Sequence, residues 1–320
     1  MDSGSARLRR LSGMTESSSV NPAVSMSRNG FFFAVMCLAW GLTFLPVKIG
    51  TMHAPPILLA AARFLIAGAL MLLWAGRDWP KVPRAAWPRL AATALLINTG
   101  NYTFLFWGVA HAPSGLSAIV NFATIPIFTL LASRAFEGNP ITGRKLVAIA
   151  LGTVGLAFLF ATRASGALSA ASGDPQEVLG LAAIALGTLL YCVGAVLARP
   201  IAGTMPTLTL AGWQTFIGGL GLLVVTLTVE GADASKFALL LSWPVWPALI
   251  FLIVAGSLMG FTIYMRLLRD WGAFHAGLYA FVSPAIAVVA GLVVLGEPFG
   301  PAEAIGAALM FAAAAVALKR

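Results

Sequence analysis

Acidic side chains are scarce in this sequence: 11 Asp and Glu against 20 Lys and Arg in 320 residues. Each of the 11 falls in a tail, a loop or the end of an apolar run, never in its middle. Carboxylates inside a membrane usually mark ion or proton paths, so a buried carboxylate relay is disfavoured. Cysteine is nearly missing as well. Cys37 and Cys192 sit singly in apolar runs and build neither a disulfide scaffold nor a metal spacing. His53, His111 and His275 are scattered, so no metal site or cofactor is expected. A Walker A lysine loop is also absent, which leaves ATP-driven pumping unsupported. Charge of either sign is sparse, at 10% of residues, where a soluble domain carries about a quarter.

What is present in quantity is apolar surface. Hydrophobic residues make up 59% of the chain, with a mean hydropathy of +0.91. About 20 apolar residues cross a bilayer as a helix, and ten segments qualify: 30–49, 57–75, 88–109, 115–133, 144–162, 178–198, 208–228, 245–265, 274–295 and 302–318. The expected fold is an all-α integral membrane protein. Residues 1–28, Ser-rich and basic without hydrophobic period, read as a disordered cytoplasmic tail. The longest connections, 163–177 and 229–244, read as polar loops.

The basic residues choose the orientation. With both termini cytoplasmic, sixteen of the 20 Lys and Arg fall on the inner side. Lys48, Arg163 and Lys236 fall outside, and Arg63 lies within span two. The net charge of +9 is thus a topology signal, and no nucleic-acid partner is implied. The partners expected are the lipid bilayer and a small-molecule substrate.

The chain also repeats itself. Shifted by 158, "FWGVAHAPSGLSAIVNFATIPIFTLLASRAFEGNPI" falls on "YMRLLRDWGAFHAGLYAFVSPAIAVVAGLVVLGEPF" without a gap, pairing Pro126 with Pro284 and Gly138 with Gly296. Shifted by 151, "PPILLAAARFLIAGA" falls on "PTLTLAGWQTFIGGL", pairing Arg63 with Gln214. A unit with an odd number of spans must invert when repeated. The expected organisation is two inverted five-helix repeats, 29–162 and 178–320, joined by the outer loop 163–177.

Several motifs carry a resemblance. "LAWGLTF" in span one, "AARFLIAGAL" in span two, Pro284 with the Gly296-Glu297 pair closing span nine, and the twice-five layout resemble the EamA-type transporters of the drug/metabolite transporter superfamily. The resemblance implies export of small metabolites, amino acids among them, across the bacterial inner membrane. That family usually has a glutamate in both "GE" positions, whereas the first repeat here has Asn139.

Polar side chains inside the spans are the candidate substrate contacts. Asn98, Asn101 and Tyr102 fall at i, i+3 and i+4 of span three and share a helical face. Trp40, Thr43, Asn121, Thr124, Tyr191, Gln214, Tyr264 and Tyr279 extend this uncharged polar and aromatic set. Arg63, the one cation well inside a span, must face the bundle interior, backbone carbonyls or water. It reads either as an anchor for an anionic group or as a structural charge. Pro126 and Pro284 are expected to kink spans four and nine and open carbonyls toward a cavity. Glu297, beside two prolines, reads as a helix-boundary residue. The small residues of span ten suit close helix packing, with a homodimer face as the alternative.

The expected function is secondary transport by alternating access, in the direction of export. A passive channel is the alternative, since missing coupling carboxylates suit one. A membrane enzyme is the remote alternative. "GLSA" and "FHAGL" resemble the signatures of rhomboid-like proteases, but Ser117 and His275 are expected at opposite membrane faces, too far apart for a Ser–His hydrogen bond.

Overall fold

The computed structural model describes residues 22–78, 81–168 and 175–318, and every regular element among them is helical. The helices are α1 (Pro22–Leu42), α2 (Phe44–Thr51), α3 (Pro56–Ala75), α4 (Trp87–Ala94), α5 (Asn101–His111), α6 (Ser114–Glu137) and α7 (Gly143–Leu168). The second half contributes α8 (Pro175–Ala202), α9 (Thr207–Thr228), α10 (Ala234–Ala238), α11 (Val245–Phe251), α12 (Gly260–Gly277), α13 (Tyr279–Leu295) and α14 (Pro301–Leu318). Two π-helical segments, Leu95–Gly100 and Leu252–Met259, join α4 to α5 and α11 to α12.

Among the described residues, seven helical stretches are long and apolar enough to cross a membrane: Arg28–Thr51, Pro56–Asp78, Ser114–Glu137, Pro175–Ala202, Thr207–Thr228, Val245–Gly272 and His275–Leu295. The three remaining expected spans correspond to the α4–π–α5 stretch, to α7 and to α14. Most of the expected tail lies outside the described residues. Its last part does not, because α1 already begins at Pro22. The loop 163–177 shrinks, since α7 runs to Leu168 and α8 starts at Pro175, with 169–174 outside the described residues. The connection 229–244 is not simply polar. It folds into α10 and a 3-10 turn at Leu239–Leu241, with Leu241 and Trp243 exposed. Asp233 caps α10, and the Ser235 hydroxyl and Lys236 N–H hold its carboxyl below the usual carboxylate range.

Helix ends follow local chemistry. Proline precedes the first residue of α3, α6 and α9, at Pro55, Pro113 and Pro206, where its fixed φ and missing donor are tolerated. Gly138 (φ 70°) ends α6 and Gly296 (φ 63°) ends α13. In both, the next amide bonds back six residues, Asn139 N to Ser133 O at 3.4 Å and Glu297 N to Gly291 O at 3.2 Å. Positions 158 apart thus carry the same glycine-dependent cap.

Spans four and nine remain helical at their prolines. Pro126 and Pro284 lie inside α6 and α13, which continue through them as helix. The α pattern changes instead at Thr43, in the two π segments and at Gly272 (φ 80°). At Thr43 the cause is Pro46, which has no N–H to offer the Leu42 carbonyl four residues back. The Thr43 amide and hydroxyl both turn to Trp40 O, at 3.2 and 2.6 Å.

Packing pairs helices across the two halves: α3 with α9, α6 with α13, α7 with α14, α5 with α8, and α1 with α12 and α13. α3 and α9 run antiparallel, since Glu230, just past α9, binds the first amides of α3, while Thr209 at the start of α9 bonds Asp78 O beyond α3. Gly68 and Gly219 allow this closeness. A Cβ on Gly68 would sit 2.5 Å from Phe216 N, and one on Gly219 would sit 2.8 Å from Leu65 N. The small face of α14 is occupied within the chain, because Gly306 faces Leu159 of α7 and Met310 packs on Gly155. The outside is apolar, with Leu73, Trp74, Val154, Val224 and Val293 all exposed. Such an exterior suits lipid rather than water.

Candidate functional site

Between the two halves lies a cavity of about 380 Å³. It is lined from α1, α2, α3, α5, α6, α8, α9, α12, α13 and both π segments, while α7 and α14 contribute nothing to it. Eleven of the twelve residues expected to share one pathway border it: Trp40, Thr43, Arg63, Asn98, Asn101, Tyr102, Asn121, Tyr191, Gln214, Tyr264 and Tyr279. Thr124 does not. Its hydroxyl turns back to Val120 O at 2.7 Å, the usual way for a threonine to satisfy itself within a helix.

One wall is aromatic. Trp40 stacks edge-on to Tyr279 with centroids 4.6 Å apart, Tyr264 lies 5.4 Å from Trp40, and Phe122 lies 5.8 Å from Tyr279. Offset and edge-to-face pairs of this kind hold rings rigidly in place. Trp40 also ties α1 to the second π segment, because its indole Nε1 donates to Gly256 O at 3.2 Å. A π turn misaligns carbonyls, and an indole donor satisfies one of them.

The amide residues divide by role. Asn98 donates to Gln214 O at 2.9 Å, and Gln214 Nε2 donates to Thr93 Oγ1 at 3.0 Å, so this pair joins the first π segment to α9. Asn121 Oδ1 accepts from Thr188 Oγ1 at 2.9 Å, fixing α6 to α8. Asn101 is 4% exposed, and its Oδ1 has no partner among the described residues.

Arg63 is 7% exposed in the middle of α3. Its Nε donates to Ser257 Oγ at 3.2 Å, and Ser257 passes its own hydrogen to Leu252 O at 3.1 Å. The guanidinium carbon lies 5.0 Å from the Phe64 ring centre and 5.7 Å from that of Tyr102. A Cβ on Gly256 would come within 3.2 Å of Nη2, so this glycine leaves room for the guanidinium. Among the described residues no carboxylate pairs with it.

At one end of the cavity the halves are tied by carboxylates that sequence reading either missed or left as boundary marks. Glu230 accepts from Ile57 N at 2.8 Å and Leu58 N at 2.9 Å, with Thr226 also donating to it. Glu297 accepts from Ser114 N at 2.7 Å, Ser114 Oγ at 2.8 Å and Gly115 N at 3.2 Å. Both α3 and α6 follow a proline that cannot cap them, so their first amides are satisfied from the other half of the chain. Lys48 braces the same end within the first half, joining α2 to the end of α5 by donating to Ala110 O and Ala112 O at 3.0 and 2.9 Å.

A profile of the EamA-like transporter family matches the chain twice, over residues 29–161 and 178–319. The chain belongs to this family. Among EamA relatives, the "Uncharacterized inner membrane transporter YedA" of Escherichia coli (strain K12) is 32% identical over 279 residues, covering 86% of this chain and 85% of that one. A "Probable amino-acid metabolite efflux pump" of Salmonella typhimurium is 28% identical, covering 90% and 94%. Protein PecM of Dickeya dadantii is also 28% identical, covering 90% and 91%. A crystal structure with a TM-score of 0.59 and 23% identity covers 91% of this chain and 96% of its own, and so shares the fold. In this EamA chain the double match falls on either side of the segment where the internal repeat divides. Ser117 Oγ bonds Pro113 O at 2.8 Å, and His275 Nδ1 contacts Trp271 O at 3.2 Å, each with a residue four positions before it.

Proposed function

We propose that this protein is a secondary carrier that exports small organic metabolites across the bacterial inner membrane by alternating access. The observation that carries the reading is the central cavity, built from both halves and bordered by eleven of the twelve polar, aromatic or cationic side chains expected to share a pathway, while α7 and α14 stand aside and pack on each other. The moving bodies are two inverted five-helix repeats, 29–162 and 178–320, with both termini cytoplasmic. Supporting the inversion, α3 and α9 run antiparallel, and the end of α13 meets the start of α6. The π segments also recur about 157 residues apart, at Leu95 and Leu252. Inverted repeats with a site at their interface are the usual basis of alternating access.

The efflux-pump name of a relative 28% identical supports export of amino-acid-related compounds. The volume fits, being near the lower end of the roughly 300–1,000 Å³ typical of small-molecule sites. Purified protein in proteoliposomes preloaded with a candidate solute is expected to show saturable counterflow of labelled solute. Unitary currents or non-saturable flux would make it a channel, and no flux of any solute in a broad metabolite library would remove the transport reading.

A further inference from the structure

Arg63 is the only charged side chain bordering the cavity among the described residues. A guanidinium has five N–H donors, and here one hydrogen bond is formed, Nε to Ser257. The two Nη nitrogens meet no acceptor among the described residues, although the side chain is more than nine-tenths buried. The rings of Phe64 and Tyr102 offset part of the charge, but a ring face accepts no directed hydrogen bond of the strength a carboxylate does. Intramembrane arginines are expensive unless paired. A cavity that keeps such a group unpaired and gives it room, through Gly256, is arranged for a counter-charge that arrives with the ligand.

We infer that the transported compound is an organic monocarboxylate with an aromatic or branched apolar body, its carboxylate received by the Arg63 Nη nitrogens. A single fixed cation matches a monoanion better than a phosphate ester of about two negative charges. The planar fork matches a carboxylate in two parallel hydrogen bonds. The apolar body is received by Trp40, Tyr264 and Tyr279, which supply flat surfaces and hydroxyls but no negative charge. With no carboxylate at the cavity among the described residues, an α-ammonium group is not required for recognition. Amino acids and their deaminated acids are therefore both admissible, whereas amines and esters are not. This inference rests on the carrier reading and narrows its substrate.

The test uses full-length protein in lipid nanodiscs for binding and in proteoliposomes for counterflow, with four probes of one skeleton: 3-phenylpropanoate, its methyl ester, 3-phenylpropylamine and phenylalanine. A tryptophan-fluorescence or thermal-shift titration is expected to rank both carboxylates at least about tenfold above the ester and the amine, as loss of a charge-assisted pair implies. Arg63→Gln is expected to abolish the preference and Arg63→Lys to retain part of it. A purely structural arginine would leave the acid and ester equal in the wild-type protein, a comparison that holds even if Arg63→Gln fails to fold. Equal binding of acid, ester and amine, binding of none of them, or an equal response to sodium chloride alone would overturn the inference. In each of those cases saturable counterflow of some other metabolite would leave the carrier reading standing.

Discussion

At the scale of single residues, the cavity separates side chains that face its open space from those that hold helices together. Gly256 belongs to the first group by what it lacks. A methyl there would meet Thr43 Cγ2 at 2.8 Å and Arg63 Nη2 at 3.2 Å, both side-chain atoms that can move. Gly256→Ala is therefore expected to fold normally while displacing the guanidinium, raising the half-saturation concentration of counterflow by about tenfold, equivalent to one lost charge-assisted hydrogen bond. An unchanged value would mean that the position of Arg63 does not matter to binding. Asn98 belongs to the second group. Its amide bonds Gln214 O, and a Cβ on Gly218 of α9 would lie only 2.2 Å from Asn98 Cβ. Asn98→Leu loses a buried donor and overfills the crossing, at a cost of about 1–3 kcal/mol. Melting temperature in detergent and flux are expected to fall together. Full stability with lost flux would place Asn98 on the substrate instead. The cavity set was legible in the sequence because uncharged amides and phenols are conspicuous in apolar runs. Thr124 misled because a threonine can satisfy itself on its own helix, and Ser257 and Gly256 were passed over because small residues are commonplace in such spans.

At the scale of elements, the sequence showed where helices run but not where they depart from the α pattern. Prolines drew attention to spans four and nine, yet the departures lie at Thr43 and in the two π segments. A π turn adds one residue to a helix, and over only six or eight residues that offset leaves no period to detect. Pro46 was the readable signal for span one, acting on the carbonyl four residues before it. Pro46→Ala restores the donor to Leu42 O. It is expected to join α1 and α2 into one helix, raising stability while slowing transport, since the turn positions Trp40 and Thr43 at the cavity. Melting temperature and initial counterflow rate measured on the same preparation check this. An increase in both would show that the turn has no part in function. The trans caps were hidden for a different reason: Glu230 and Glu297 bind amides 172 to 183 residues away, a distance over which no local pattern carries information. The internal repeat nevertheless marked Glu297, through the glycine beside it.

At the scale of the whole molecule, the two ends of the bundle are held unequally, and this asymmetry has a consequence for which end opens. One end is tied across the halves by Glu230 and Glu297 and braced within the first half by Lys48, each bonding main-chain groups of another helix or its loop. Capping contacts of this kind contribute about 0.5–2 kcal/mol each. The other end carries ion pairs of Lys81 with Asp78 and Arg199 with Glu137, both solvent-exposed, and exposed pairs contribute about 0–1 kcal/mol. Met265 borders both the central cavity and a shallow depression containing Thr207, Thr262 and Arg266 on that weaker side. The tied end should be the closed one, and weakening a single tie should open it. Both native cysteines are buried, so Cys37→Ala and Cys192→Ala provide a background for single reporters. Ser117, fully buried one turn into α6 beyond the Glu297 contact, is expected as Ser117→Cys to resist a membrane-impermeant maleimide. Adding Glu297→Gln removes the charge that holds Ser114 and Gly115, and the same cysteine is then expected to react several-fold faster, whereas Thr262→Cys reacts readily in both. Equal rates at position 117 with and without Glu297→Gln would show that the carboxylate only caps α6. A faster rate restored to baseline by a bound carboxylate ligand would tie the closure of that end to occupancy of the cavity beneath it.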